Sequence, residues 1–321
     1  MDRTVVVVVA TYRRPEYVRT CLEHLRQQTV SPTRIVVVDA SPDDETRTVV
    51  REFPEVEYRR NDIGLGATAT SRAIGTHDAT EDIVAFIDDD AFAEPEWLER
   101  LIAAYRPDDV GAVGGRARNG REGEENEGLD RIGRFLRNGR LTGNFAADPG
   151  HAIDADHLLG ANMSVRNSVL RSLGGIRDFY PGTCLREETD IALRIRKAGY
   201  RIVYVPDAVV LHVAGDYSKG TRFDLRYRFY GARNHILLLR TTLGWGDPHL
   251  VRYLGSVGGS TARVAVSGLT TWSSKSGPAA GLRGVAGGVI RAGADLAGTV
   301  VGLVAAIAPR DRARDVHRAT S

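Results

Sequence analysis

The feature that most constrains the fold is the run Val5-Val6-Val7-Val8-Val9-Ala10. Branching at Cβ restricts χ1 in a helix and suits the pleated surface of a strand. A strand with one wet face alternates apolar and polar residues, and this run does not. It predicts a strand covered on both faces, as in parallel sheets with helices above and below. At six residues it is also shorter than the apolar core of a secretory signal, and on that ground the chain reads as intracellular and cytoplasmic.

The same unit recurs. Residues 35–38 and 83–87 are further buried-strand runs, 56–59 is a shorter one, and helical spacing marks 15–28, 43–53 and 67–75 between them. Glu94-Pro95-Glu96 reads as the opening of a helix that runs to about 105. Strands alternating with helices mean βαβ units and a mainly parallel central sheet flanked by helices. Residues 116–156 are rich in glycine and charge and read as an excursion with one helix over 129–137. Regular patterning then resumes, with strands over 158–165, 200–205 and 208–213 and helices over 167–173, 189–198 and 223–239. From Gly255 the composition shifts to Gly, Ala, Ser and Val, so 241–321 reads as a C-terminal helical extension to a domain over 1–240.

Composition narrows the function classes. With a formal net charge of +2, the chain carries no general field for nucleic acid, and no nucleic-acid partner is expected. Cys21 and Cys184 are its only cysteines, which excludes a disulfide framework and a Cys/His zinc cluster.

In open α/β sheets, ligands sit beyond the carboxyl ends of the strands. Thr11, Asp39 and the triplet Asp88-Asp89-Asp90 all fall there. Three adjacent carboxylates repel one another unless something positive stands among them. Two readings follow: an acidic helix start, or a hard-cation site in which alternate carboxylates share Mg²⁺ or Mn²⁺. Glu187-Glu188-Thr189-Asp190 reads as helix-start acids or as a general base aimed into a cleft. Asn162 reads as an ordinary buried strand residue, and His212 as a structural histidine at a strand end. The loop Asp62-Ile63-Gly64-Leu65-Gly66 lacks the third glycine of a dinucleotide fingerprint.

The order of these blocks is more specific than any one of them. VVVVVATYRRPEYVRTCLEHLRQQT, IVVVDASPDDET, NDIGLGATATSRAIG, IVAFIDDDAFAEPEWLERL, LLGANMSVRNSVLRSLGGI and LREETDIALRIRKAGYRIVYVPDAVVLH follow one another from about Val5 to His212. This series resembles the family 2 glycosyltransferases of the GT-A fold. The resemblance implies metal-dependent transfer of a sugar, with inversion, from a nucleotide-sugar donor to a hydroxyl acceptor such as a glycan, a small molecule or a lipid-linked saccharide. It also divides the domain into a nucleotide and metal half, 1–115, and an acceptor and base half, 150–215.

By that resemblance, Thr11, Arg13, Asp39 and Arg72 stand at the nucleotide. Asp88 and Asp90 end a metal-binding Asp-x-Asp with Asp89 between them, and His212 matches a histidine that approaches the metal or diphosphate in some relatives. Gly160, Ala161, Asn162 and Glu187 fall on the acceptor side. Glu188 matches the base, with Asp190 its rival because the acidic pair is Glu-Glu here. Ser71-Arg72-Ala73 departs from the Ala-Arg-Asn common in the third block. The Gln-x-x-Arg-Trp of processive synthases is missing from the sequence, which points to one sugar per encounter. Two other classes compete. A nucleotidyltransferase would need a glycine-rich basic loop where Ala10-Thr11-Tyr12-Arg13-Arg14-Pro15 stands. A non-catalytic carbohydrate-binding relative would have lost the triplet or the acidic pair.

In the last third, Arg226, Tyr230 and Arg233 lie near one face of a basic helix. Residues 296–308 form a thirteen-residue uncharged run, short of the roughly 20 residues that span a bilayer. A membrane-surface helix with a basic rim, peripheral at the inner face of the cell membrane, and a packing helix both fit that run.

Overall fold

The computed structural model describes residues 3–213, 225–270 and 278–318. Its sheet has nine strands: β1 (Val5–Thr11), β2 (Arg34–Asp39), β3 (Val56–Arg60), β4 (Ile83–Asp88), β5 (Ala91–Ala93), β6 (Val110–Arg118), β7 (Ile153–Asp154), β8 (Asn162–Arg166) and β9 (Arg201–His212). The spatial order is β3-β2-β1-β4-β8-β6-β9-β5, with β7 also on β9. Strands β3, β2, β1 and β4 are mutually parallel, and β6 and β9 run the same way. Strands β8, β5 and β7 run against them.

The valine run is covered on both faces. Val5, Val7 and Val9 pack with Val18, Leu22 and Leu25 of α1 (Pro15–Arg26) and with Leu98 and Leu101 of α4 (Trp97–Ala103). Val6 and Val8 pack with Ala69 and Ala73 of α3 (Thr68–Thr76) and share a core with Ile191 and Ile195 of α6 (Glu187–Lys197). Helix α2 (Glu45–Val50) lies between β2 and β3 in sequence, and α5 (Asn167–Ser172) follows β8.

Several expectations are corrected. The helix expected from Glu94 starts at Trp97, because Glu94 N–H still bonds Val209 O of β9 (3.0 Å) and extends the sheet. The helix expected over 129–137 is a single 3-10 turn, Leu129–Arg131. Gly133 adopts φ 55° and stops it, and a hairpin bond from Leu136 N–H to Arg140 O (2.8 Å) takes over. Strands expected over 200–205 and 208–213 are one strand, β9, whose ladder with β6 slips at residues 206–208 and so passes Pro206 without breaking. Strand β6 escaped sequence reading because Gly111, Gly114 and Gly115 dilute its apolar pattern.

The last third is helical: α7 (Leu225–Thr242), α8 (Pro248–Thr270), α9 (Pro278–Ile307) and α10 (Arg314–Arg318). Residues 223–224 of the expected basic helix lie outside the described residues. Helix α7 crosses the boundary expected at 240, and α8 crosses Gly255. Ile236, Leu238 and Leu239 of α7, Leu250 of α8 and Ala306 of α9 form a core with Tyr180 and Leu193, so the extension is packed onto the sheet domain.

Candidate active site

One cleft of about 390 Å³ opens over the carboxyl ends of β1 and β4. Register explains how its acidic floor assembles. Ala10 of β1 pairs with Asp88 at the end of β4. The chain then crosses to β5, where Ala91 pairs with His212, and Val213 N–H bonds Asp90 O (2.9 Å). Asp88, Asp90 and His212 thereby offer one donor atom each within 4.8 Å of one another, and His212 Nε2 lies 3.2 Å from Asp90 Oδ1. Asp89 is not in that group. Its Oδ2 accepts from Thr11 Oγ1 (2.7 Å) and its Oδ1 from Arg14 Nη1 (3.0 Å). Arg14 also reaches Asp90 Oδ2 (2.9 Å), and with Arg72 on Asp88 it supplies the positive charge that three adjacent carboxylates require. Burial still pushes Asp89 up to about 7, against the pull of Arg14.

The second acidic group forms another wall, at the start of α6. Arg72 joins the two. Buried in α3, it ion-pairs with Glu187 and donates through Nη2 to Asp88 Oδ1 (3.0 Å) and Gly160 O (2.9 Å). A Cβ at Gly160 would stand 2.8 Å from the guanidinium nitrogens, so a side chain there would have to displace Arg72. Burial raises Glu187 to about 8, with Arg72 opposing. Glu188 lines the cleft beside it, bonded by Thr189 Oγ1 at 3.3 Å, and burial raises its carboxyl above the ordinary range. Asp190 points away into the core. Its carboxylate accepts from Arg177 (2.7 Å), Arg194 (2.7 Å) and Tyr180 OH (2.7 Å), and it does not line the cleft.

The remaining expected site residues separate. Thr11, Arg72, Gly160 and Ala161 line the cleft. Asp39 lies fully buried behind Ala40, accepting from Ser41 N–H (2.8 Å) and Tyr58 OH (2.9 Å). Arg13, at φ 53°, turns outward toward Asp43, so Arg14 rather than Arg13 reaches the floor. Asn162 is sealed under the floor: Trp97 Nε1 donates to it (2.8 Å), and it donates to Ala208 O (2.9 Å). Sequence reading missed Arg14. The only signal for it was the need for a cation beside the triplet.

The family described as "Glycosyl transferase family 2" matches residues 6–170. The chain is 31% identical over 233 residues to a glucosyl-dolichyl phosphate glucuronosyltransferase of Haloferax volcanii, covering 68% of this chain and 72% of that one. It is 24% identical over 217 residues to the O-antigen chain rhamnosyltransferase RfbN of Salmonella typhimurium, covering 65% and 66%. Among solved structures, the mannosyltransferase PcManGT from Pyrobaculum calidifontis, in complex with GDP-Man and Mn²⁺, shares the fold. Its TM-score is 0.61 at 18% identity, over 96% of this chain and 88% of that one.

Proposed function

Because the chain belongs to glycosyltransferase family 2, we propose that its cleft moves a single sugar from a nucleotide-sugar donor to a hydroxyl acceptor, with inversion and with a divalent cation. The observation that carries this reading is the joining of two acidic walls by Arg72 in one cleft. One wall suits a cation and the other a base.

Two carboxylates and an imidazole form a mixed oxygen and nitrogen donor set. Mg²⁺ keeps to oxygen ligands and water, whereas Mn²⁺ takes imidazole more readily, so Asp88, Asp90 and His212 fit Mn²⁺ better. A cation held there would supply Lewis-acid stabilisation of the departing diphosphate. The rest belongs to the chain. Thr11 and Arg14 fix Asp89, and through it the turn that presents Asp88 and Asp90. Arg72 holds Glu187 as its ion-pair partner. Glu188 accepts the proton of the attacking hydroxyl, and its raised pKa makes it a stronger base than an ordinary carboxylate once ionised.

The relative named for a glucosyl-dolichyl phosphate substrate supports a lipid-linked acceptor, and the O-antigen relative supports a glycan. Helix α9 favours the first. Its inward face is small: Gly298 and Gly302 approach the backbone of Phe229 and Arg233 in α7. Its outward face carries Val289, Ile290, Val300, Val304 and Ile307, all more than half exposed. Residues 286–307 are long and apolar enough to cross a membrane by length and composition, but the helix lies along α7 and α8. An apolar helix face resting on a membrane surface, with the helix peripheral to it, fits that pattern.

Screening UDP-, GDP- and dTDP-sugars for donor hydrolysis should find at least one donor turned over with Mn²⁺ and not in chelator. Equal turnover in chelator would remove the cation from the mechanism. Val300→Glu with Val304→Glu should release the protein from anionic vesicles while leaving donor hydrolysis intact; undiminished vesicle binding would refute the membrane reading.

A further inference from the structure

The C-terminal tail comes back to the cleft. After α9 ends at Ile307, Ala313 becomes fully buried among core residues of α3 and its neighbours. Arg312 backbone N–H donates to Asp178 O (2.9 Å). Its Nη2 donates to Gly66 O (2.7 Å) and to the Asp178 carboxylate (2.9 Å). Asp178 is fully buried and acts as a hub. Its Oδ2 accepts from Thr70 Oγ1 of α3 (2.7 Å), and its N–H donates to Asp311 Oδ1 (2.8 Å).

The groups gathered by this hub are walls of the cleft. Gly66 lies in the loop before α3, where neighbouring Gly64 approaches Ala40 at the end of β2. That is the edge of the parallel strands where ligands of such sheets bind. Gly66, at φ 82°, packs on Gly182 so closely that a Cβ would stand 2.9 Å from Gly182 O. Gly182 in turn packs on the Tyr230 ring of α7, where a Cβ would stand 2.4 Å away. Gly66 and Gly182 both line the cleft. One guanidinium, 246 residues along the chain from Gly66, therefore locks two facing loops whose contact leaves no room for a side chain.

We propose that Arg312 is a positioning residue for the nucleotide-sugar donor, latching the Gly66 and Gly182 loops into the arrangement that forms the donor side of the cleft. This rests on the glycosyltransferase reading above, and it makes the tail, which lies outside the matched residues 6–170, part of the binding machinery. Removing the guanidinium frees the Gly66 carbonyl and leaves Asp178 buried without its counter-charge, so the two loops lose their common anchor.

The test is calorimetric titration of the full chain with UDP, GDP and dTDP, each with Mn²⁺, at a temperature where circular dichroism shows every variant folded. Arg312→Ala should weaken the binding of whichever diphosphate the wild type takes by about tenfold or more. Arg312→Lys, which keeps the charge against Asp178 but not the planar fork, should recover part of the loss. Binding by Arg312→Ala within twofold of wild type would overturn the proposal. So would a Lys variant as weak as the Ala variant with the same drop in melting temperature, since that is a purely structural role. If Arg312→Ala does not fold, Arg312→Met decides by the same tenfold and twofold limits, because it keeps the length of the side chain and removes the donors to Gly66 O and Asp178. A wild type that binds none of the three diphosphates would undo the donor reading itself, and this inference with it. A wild type that binds one, beside an unshifted variant, undoes only the latch.

Discussion

The two acidic groups of the cleft are alike in composition and differ in who holds them. At the end of β4, Asp89 is held by Thr11 and Arg14, while Asp88 and Asp90 accept one bond each, from Arg72 and Arg14, and also stand in one group with His212. At the start of α6, Glu187 is held by Arg72 and Asp190 by Arg177, Arg194 and Tyr180, while Glu188 lines the cleft with no arginine bonded to its carboxylate among the described residues. A buried carboxylate locked to a guanidinium is committed to it, because breaking the pair strands a charge in low dielectric. The six acids thus fall into three kinds. Asp89, Glu187 and Asp190 are held in place by arginine. Asp88 and Asp90 each accept from one guanidinium and also stand with His212 in the candidate cation group. Glu188 alone lines the cleft without an arginine bond among the described residues.

The sharpest way to break this sorting is to remove one of the two shared acids from the first wall. Asp90→Ala should lower transfer by about 10³-fold or more, the scale for losing a preorganised electrostatic group at a departing charge, and should abolish Mn²⁺-dependent nucleotide binding. Assays of donor turnover with and without chelator check this. A variant that keeps full activity in chelator would show that the first wall holds no cation that matters.

On the second wall, Glu188→Gln keeps size and most hydrogen bonding and removes the proton acceptor. It should cost about 10²–10⁴-fold in transfer, the usual range for a general base. Donor affinity should change little if Glu188 serves the acceptor hydroxyl, as proposed. Single-turnover transfer and nucleotide titration separate the two effects.

The pH profile sharpens the same assignment. Burial raises the Glu188 pKa, and the base works only when ionised. Wild-type turnover should therefore rise about tenfold per pH unit on the acid side, and level off at a pH above the ordinary glutamate value of about 4.3. Glu188→Gln should lose that limb. An identical acid limb in the variant would assign the titration to another group.

The parallel half of this architecture is legible from residue types alone. Five consecutive valines need cover on both faces, and strand ends in such a sheet gather ligand-binding groups, so Thr11, Asp88 and Asp90 could be placed before any coordinates. Three things could not. Of two adjacent arginines, Arg14 lines the cleft while Arg13, at φ 53°, turns toward Asp43, and sequence reading singled out only Arg13. Asn162 reads as buried, but the partners that satisfy it do not: Trp97 Nε1 and Ala208 O meet it through packing and the slip in β9, which is a tertiary event. The return of Arg312 to Gly66 spans almost the whole chain and leaves no local pattern. The outward apolar face of α9 was half legible: the uncharged run 296–308 was visible, but only packing shows that the glycines face in and the valines out.

The smallest effect on chemistry should come from Asp190, and it is the most exacting test of the sorting. Sequence reading left Asp190 as the rival base, two positions past Glu188 and at the same helix start. The structure places its carboxylate, 1% exposed, among Arg177, Arg194 and Tyr180, and burial moves Tyr180 far above its ordinary pKa beside that charge. Asp190→Asn keeps the shape and some of the hydrogen bonds but leaves two guanidinium groups facing a neutral amide. That should cost about 3 kcal/mol of stability, the lower end of the range for breaking a buried pair, read as a lower midpoint in denaturant with an unchanged slope. At a temperature where the variant stays folded, transfer should remain within about threefold of wild type, since no reacting atom has lost its partner. The double variant Glu188→Gln, Asp190→Asn should then show the activity of the first and the stability of the second, because effects without a shared partner add. If Asp190→Asn instead stops transfer with donor binding intact while Glu188→Gln does not, the base is Asp190, and a carboxylate held by two arginines is not out of use.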